Sequence, residues 1–218
     1  MNISPYEFWK HALCISIDEK RAATYEKVMR HAFGVVPPIY EGFTNRNLSG
    51  VYNCELSHVS IVKMARLLGW PFVTILEDDV FPRKDAHAQL RRLLRSIPND
   101  AKMIPWGYLG TYGVESYDEL FDRPTGRING THLYTIFEAG YDEYLSIYND
   151  DQTIEADRFY LRVSPTYVPK VNIAIQYSAE ASAVNKNRWY CTKVMSRTPP
   201  EGFPRIEDIV RGGEACQT

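Results

Sequence analysis

Phe72-Val73-Thr74-Ile75-Leu76-Glu77-Asp78-Asp79-Val80 decides the reading of this chain, because an apolar, β-branched run ends abruptly in three carboxylates. Following the Gly69-Trp70-Pro71 break, the run reads as a strand buried on both faces, the kind found in the parallel sheets of α/β proteins. Such sheets place their sites at the carboxyl ends of the strands. Adjacent carboxylates repel one another, and holding them at the rim of a hydrophobic layer costs energy unless a cation neutralises them. A hard divalent ion with oxygen ligands, Mg²⁺ or Mn²⁺, is the simplest candidate. The plainer alternative is a solvated acidic turn.

Working outward, strands and helices alternate. Residues 12–17 read as a buried strand, and residues 22–33 as a helix stopped by Gly34. A short strand over residues 35–40, a helix over 51–68 and the acidic strand follow. Beyond them come a helix around Leu90, strand pieces at Met103-Ile104 and Tyr108-Leu109, a strand over 131–137, a helix over 140–147 and extended segments over 163–175. This order predicts an α/β fold with an open, mainly parallel, Rossmann-like sheet. Residues 1–195 form the expected domain, and 196–218, rich in proline and glycine, an extended tail.

With 218 residues, 44% of them hydrophobic, the chain can bury a full core, and a net charge of −2 gives no electrostatic reason to expect nucleic acid as a partner. Arg91, Arg92 and Arg95 lie opposite the apolar positions of their helix, as a solvated face would. Four scattered cysteines favour a reducing compartment. Polar residues interrupt the N-terminus and no run approaches the roughly 18 apolar residues of a membrane span. The expected location is cytoplasmic, at most peripheral to a membrane.

Two further clusters fall where such a sheet presents a site. Ser16-Ile17-Asp18 closes the first strand and opens a helix, where free N–H groups favour a phosphate, although Asp18 as a simple N-cap is an equal reading. Arg21, one turn on, either contacts a phosphate or faces water. There is no glycine-rich fingerprint for a dinucleotide or P-loop site. In the second cluster, Cys54, His58, Ile61, Ala65 and Leu68 recur at steps of three or four, which turns His58 inward beside Ser57.

Cys54-Glu55-Leu56-Ser57-His58, then Ile75-Leu76-Glu77-Asp78-Asp79-Val80, then Gly130-Thr131-His132-Leu133-Tyr134 resemble, in this order, glycosyltransferase family 25. These are the lipooligosaccharide-type sugar transferases, which include collagen galactosyltransferase domains. Cys14-Ile15-Ser16-Ile17-Asp18 with Arg21 resembles the family's first strand, Asp157 its late aspartate, and Gln176 with Ser178 its closing pair. Asn53 and Glu55 depart from the residues usual there, and residues 110–129, where acceptor loops would lie, carry no recognisable motif.

The resemblance implies a GT-A fold, a UDP-sugar donor (most often UDP-galactose), a divalent metal, inversion at the anomeric carbon, and a glycan or glycolipid acceptor. Glu77 and Asp79, alternate positions on extended backbone, would hold the metal, with Asp78 facing the other way. Ser16, Ile17, Asp18, Arg21, Ser57, His58, Asp78, Gly130, Thr131, His132, Gln176 and Ser178 would line the donor site. An inverting transfer needs a carboxylate to take the acceptor proton. Asp157 is the choice, with Glu155, Asp150 and Asp151 as competitors. Phosphoryl transfer by a strand-end aspartate fits less well, with glutamate first and no threonine following. A nucleotide-sugar-binding protein without turnover remains the alternative outside catalysis.

Overall fold

The structure, a computed structural model, describes residues 1–108, 110–111, 113–130, 132–150, 162–176 and 202–203. The elements are α1 (Pro5–Lys10), β1 (Ala12–Ser16), α2 (Glu19–Phe33), β2 (Ile39–Glu41), α3 (Gly50–Leu67), β3 (Phe72–Glu77), β4 (Val80–Pro82) and α4 (Ala86–Leu94). They continue with β5 (Met103–Gly107), β6 (Gly110–Thr111), β7 (Val114–Ser116), β8 (Phe121–Pro124), β9 (Ile128–Asn129), β10 (Leu133–Phe137), α5 (Glu138–Asp150), β11 (Val168–Pro169) and β12 (Ala174–Gln176).

Local chemistry sets the limits of these elements. Asp18 caps α2 by accepting from the backbone N–H groups of Lys20 and Arg21 at 2.8 and 3.0 Å, and Gly34 ends it at φ 70°. Ser49 caps α3 through the Tyr52 N–H at 3.1 Å, and Gly69 follows the helix at φ 64°. The strand expected over residues 35–40 begins only at Ile39, because Pro37 and Pro38 have no N–H to give a ladder. Of the expected Tyr108-Leu109 piece, Tyr108 lies beyond β5, which stops at Gly107, and Asn172 holds its backbone on both the N–H and carbonyl sides, while Leu109 lies outside the described residues.

Among the described residues, seven strands form the central sheet in the order β2-β1-β3-β10-β5-β12-β4. β1 is parallel to β2 and β3, β10 lies antiparallel between β3 and β5, and β12 is parallel to β5 but antiparallel to β4. Only β10 and β4 therefore run against the rest, and the sheet is mainly parallel in direction. β3, the acidic strand, is central, and its side chains alternate between two cores. Val73 and Ile75 meet Ile61, Ala65 and Tyr141 on the side of α3 and α5. Phe72 and Leu76 meet Phe8, Tyr25 and Leu90 on the side of α1, α2 and α4. Thr74 shares the second side, where its hydroxyl lies 2.7 Å from that of Thr135, which also accepts from Trp106 Nε1 at 2.7 Å. Three buried polar groups are thus satisfied together.

The sheet also curls. Four strand spacings of about 4.8 Å would separate β3 from β4 in a flat sheet, roughly 19 Å, yet only Asp78 and Asp79 join them, a link of about 11 Å at most. The far edge must therefore bend back over the end of β3, and Phe81 of β4 packs on Val28 of α2. Residues 110–129 build two small sheets, β6-β9 and, with β11, the order β11-β8-β7. In the segment expected to be a tail, the Gly202 carbonyl accepts from the Lys84 N–H at 2.9 Å and Phe203 is buried against Val28 and Phe81. Among the described residues no helix is long and apolar enough to cross a membrane, and neither Cys14 nor Cys54 is in a disulfide.

Candidate functional site

The curl gathers the ends of β1, β3 and β12 around the turn at Asp78-Asp79. β3 ends at Glu77, so the two-residue alternation expected through Asp79 lapses there. Asp78 does not face away from Asp79 as expected: the Arg21 guanidinium pairs with both carboxylates, contacting Asp79 Oδ2 at 3.1 Å. Ser16 Oγ at the end of β1 donates to Asp78 Oδ2 at 2.7 Å, and Gln176 Nε2 at the end of β12 donates to Asp79 Oδ2 at 2.9 Å. Arg21 is thus the charge that partly compensates the acidic turn, instead of a residue facing water. Among the described residues, one guanidinium stands against three carboxylates, an excess of negative charge.

Electrostatics records that imbalance. Burial raises the pKa of Asp79 to about 7, aided by the charge of Glu77 and opposed by Arg21 and the Gln176 hydrogen bond. Burial also raises Asp78, against the Ser16 hydrogen bond and Arg21. Asp79 Oδ1 is buried and has no hydrogen-bond partner among the described residues. An acceptor atom left bare in a negative, buried cluster suits a cation.

Glu77 points towards α3. Its Oε1 lies 3.3 Å from His58 Nε2, while His58 Nδ1 lies 2.7 Å from the hydroxyl of Tyr134, itself 3.3 Å from that of Tyr144. His58 is fully buried, as the helical spacing requires. Ser57 has a holding role in the described structure: its Oγ donates to the Asn53 carbonyl at 2.8 Å and accepts from the Phe43 N–H at 2.9 Å, tying α3 to the chain beyond β2.

His132 is also fully buried, and burial lowers its pKa to about 4 against the charge of Glu77 and the Ala174 carbonyl. Neither ring nitrogen has an aligned hydrogen bond among the described residues. The ring fits only because residue 107 is glycine: a Cβ there would stand 2.8 Å from His132 Cδ2. Gly130 sits at φ 98° on the approach to β10, a conformation that favours glycine.

Asp18 is the N-cap of α2, and a backbone hydrogen bond from Arg21 chiefly lowers its carboxyl pKa. Ile17 beside it is half exposed. Thr131, Asp157 and Ser178 lie outside the described residues, as do Glu155 and Asp151. Sequence reasoning missed Tyr144 behind His58 and Gly107 beneath His132, and quoted Tyr134 without giving it a role. It named Cys54 without a role, although its place four residues before His58 puts both on one helix face.

No family model and no curated protein matches the sequence. Among solved structures, the chain is similar to a glycosyltransferase involved in the glycosylation of the major capsid of PBCV-1. The TM-score is 0.50 at 11% identity, over 78% of this chain and 93% of the other. At that identity the likeness is one of fold. The chain has a glycosyltransferase fold, a Rossmann-like α/β sheet of the GT-A kind.

Proposed function

We propose that the chain is a metal-dependent glycosyltransferase similar to family 25. It would move a hexose, galactose by the resemblance, from a UDP-sugar to a hydroxyl of a glycan or lipooligosaccharide, with inversion. The observation that carries this reading is the bare, buried Oδ1 of Asp79 in a turn whose other oxygens are held by Arg21, Ser16 and Gln176. The turn follows the carboxyl end of β3, the end of an open α/β sheet where ligands bind.

Glu77 and Asp79 would hold Mn²⁺ or Mg²⁺; when bound, the ion supplies positive charge where the departing UDP gains negative charge. Ser16 and Gln176 keep the two aspartates oriented, so less ordering is left for the moment of binding. Arg21, at the mouth of the site with its side chain 31% exposed, can release an aspartate to a cation and turn its fork to the diphosphate. His132, neutral over most of the working pH range, adds no positive charge that would repel a metal. Asp157 remains the proposed base for the acceptor hydroxyl. The acceptor would be a glycan or glycolipid, reached from the cytoplasmic side, with peripheral membrane association where it is lipid-linked.

Calorimetric titration with UDP and with UDP-galactose, UDP-glucose and other nucleotide sugars tests the donor half of this reading. Binding in Mn²⁺ that is lost in EDTA is expected. Equal affinity in both would remove the metal from the account, and no binding of any nucleotide sugar would remove the donor.

A further inference from the structure

We propose that Cys54, His58 and Glu77 form a second cation site, for a borderline-soft ion of the zinc class, adjoining the acidic turn through Glu77. Cys54 and His58 lie four residues apart on α3 and face the end of β3. One ligand atom from each of the three side chains lies within 4.8 Å of the other two. Metal bonds of about 2.0–2.3 Å in a tetrahedron set ligand atoms about 3.3–3.8 Å apart. His58 Nε2 and Glu77 Oε1, at 3.3 Å, already have that spacing.

A second observation comes from His58 itself. The ring is fully buried, its Nδ1 is satisfied by the Tyr134 hydroxyl, and its Nε2 makes no aligned hydrogen bond among the described residues. In the tautomer whose Nδ1–H donates to Tyr134, Nε2 would turn a lone pair towards Glu77 Oε1, 3.3 Å away, and a cation between them would relieve that repulsion. Tyr134 then plays the part of the outer partner that fixes the tautomer of a metal-ligating histidine. Cys54 is partly exposed and the Glu77 side chain is 18% exposed, so an ion has a way in. Thiolate and imidazole beside a single carboxylate select zinc over magnesium or manganese, which prefer all-oxygen sets. This site rests on its three side chains and not on the sugar-transfer reading, so either can fail alone.

Cobalt(II) is the probe, because a thiolate ligand gives it a charge-transfer absorption band in the near ultraviolet. Titrating the full-length, EDTA-stripped protein with Co²⁺ should produce that band at one equivalent, and Zn²⁺ should bleach it. Cys54→Ser should abolish the band. Tyr134→Phe keeps all three ligands but frees the imidazole, and should weaken Co²⁺ by about 10- to 100-fold. Absence of the band in the wild type, or its persistence in Cys54→Ser, overturns the site. Should Cys54→Ser fail to fold, Tyr134→Phe decides, and unchanged Co²⁺ affinity overturns the proposal.

Discussion

Replacing Asp79 with asparagine removes a charge while keeping the side-chain volume, and its effect on stability should reverse with pH. In the folded, metal-free protein Asp79 titrates at about 7 instead of its ordinary 3.8. The folded state therefore holds a proton that the unfolded chain has lost between those values, and stability falls as pH rises through that window. At about 1.4 kcal/mol per unit, the cost of ionising Asp79 amounts to about 4 kcal/mol above pH ~7. His132 acts the other way. Its folded value of about 4 lies below the ordinary 6.5, so stability falls as pH drops from 6.5 to 4, by about 3 kcal/mol in all. The two slopes nearly cancel in the wild type. Asp79→Asn keeps only the second, so it should gain on the wild type as pH rises and lose ground as pH falls. Urea unfolding of both proteins in EDTA at about pH 4.5, 6 and 7.5 gives the difference curve directly. A change of several kcal/mol across the series is expected. Parallel curves would show that Asp79 is not the buried, proton-holding group described.

The same Asp79→Asn variant should lose about 10²-fold or more in sugar transfer if the residue acts on the leaving group, measured as UDP release at saturating donor. Arg21→Met leaves Asp78 and Asp79 without their cation and should cost about 1–3 kcal/mol, a buried-pair loss discounted for the exposure of Arg21. Melting temperatures should show Mn²⁺ restoring most of that loss; equal melting in Mn²⁺ and EDTA would contradict it. Gly107→Ala puts a methyl 2.8 Å from His132 Cδ2, 2.9 Å from its Nε2 and 3.0 Å from the Ala174 carbonyl oxygen. Overpacking of this kind should destabilise by about 1–3 kcal/mol in denaturant unfolding, and a neutral substitution would show that the ring can move aside.

The sequence carried the parts of this fold that depend on near neighbours. β3 was legible because six consecutive residues face two apolar cores, and the inward turn of His58 because Cys54, Ile61 and Ala65 keep helical register with it. β4 was not legible: Val80, Phe81 and Pro82 are three residues whose partner, β12, lies more than ninety residues on. Nor was the direction of β10, since its antiparallel place between β3 and β5 is a pairing choice and not a local pattern. In the site, the acidic turn was visible and its geometry was not. Where the chain leaves β3 decides that Asp78 and Asp79 share Arg21 and that Glu77 turns to His58, and nothing in three adjacent acids announces that break. Gln176 reaches Asp79 only because the sheet curls.

Sugar transfer itself is the most direct test. UDP release from UDP-galactose, followed with Mn²⁺ in the presence of a lipooligosaccharide or glycan acceptor and resolved for the anomeric configuration of the product, should be acceptor-dependent, inverting and abolished by EDTA. Turnover that persists without any divalent metal, or no turnover with any nucleotide sugar by a folded protein, would contradict the account.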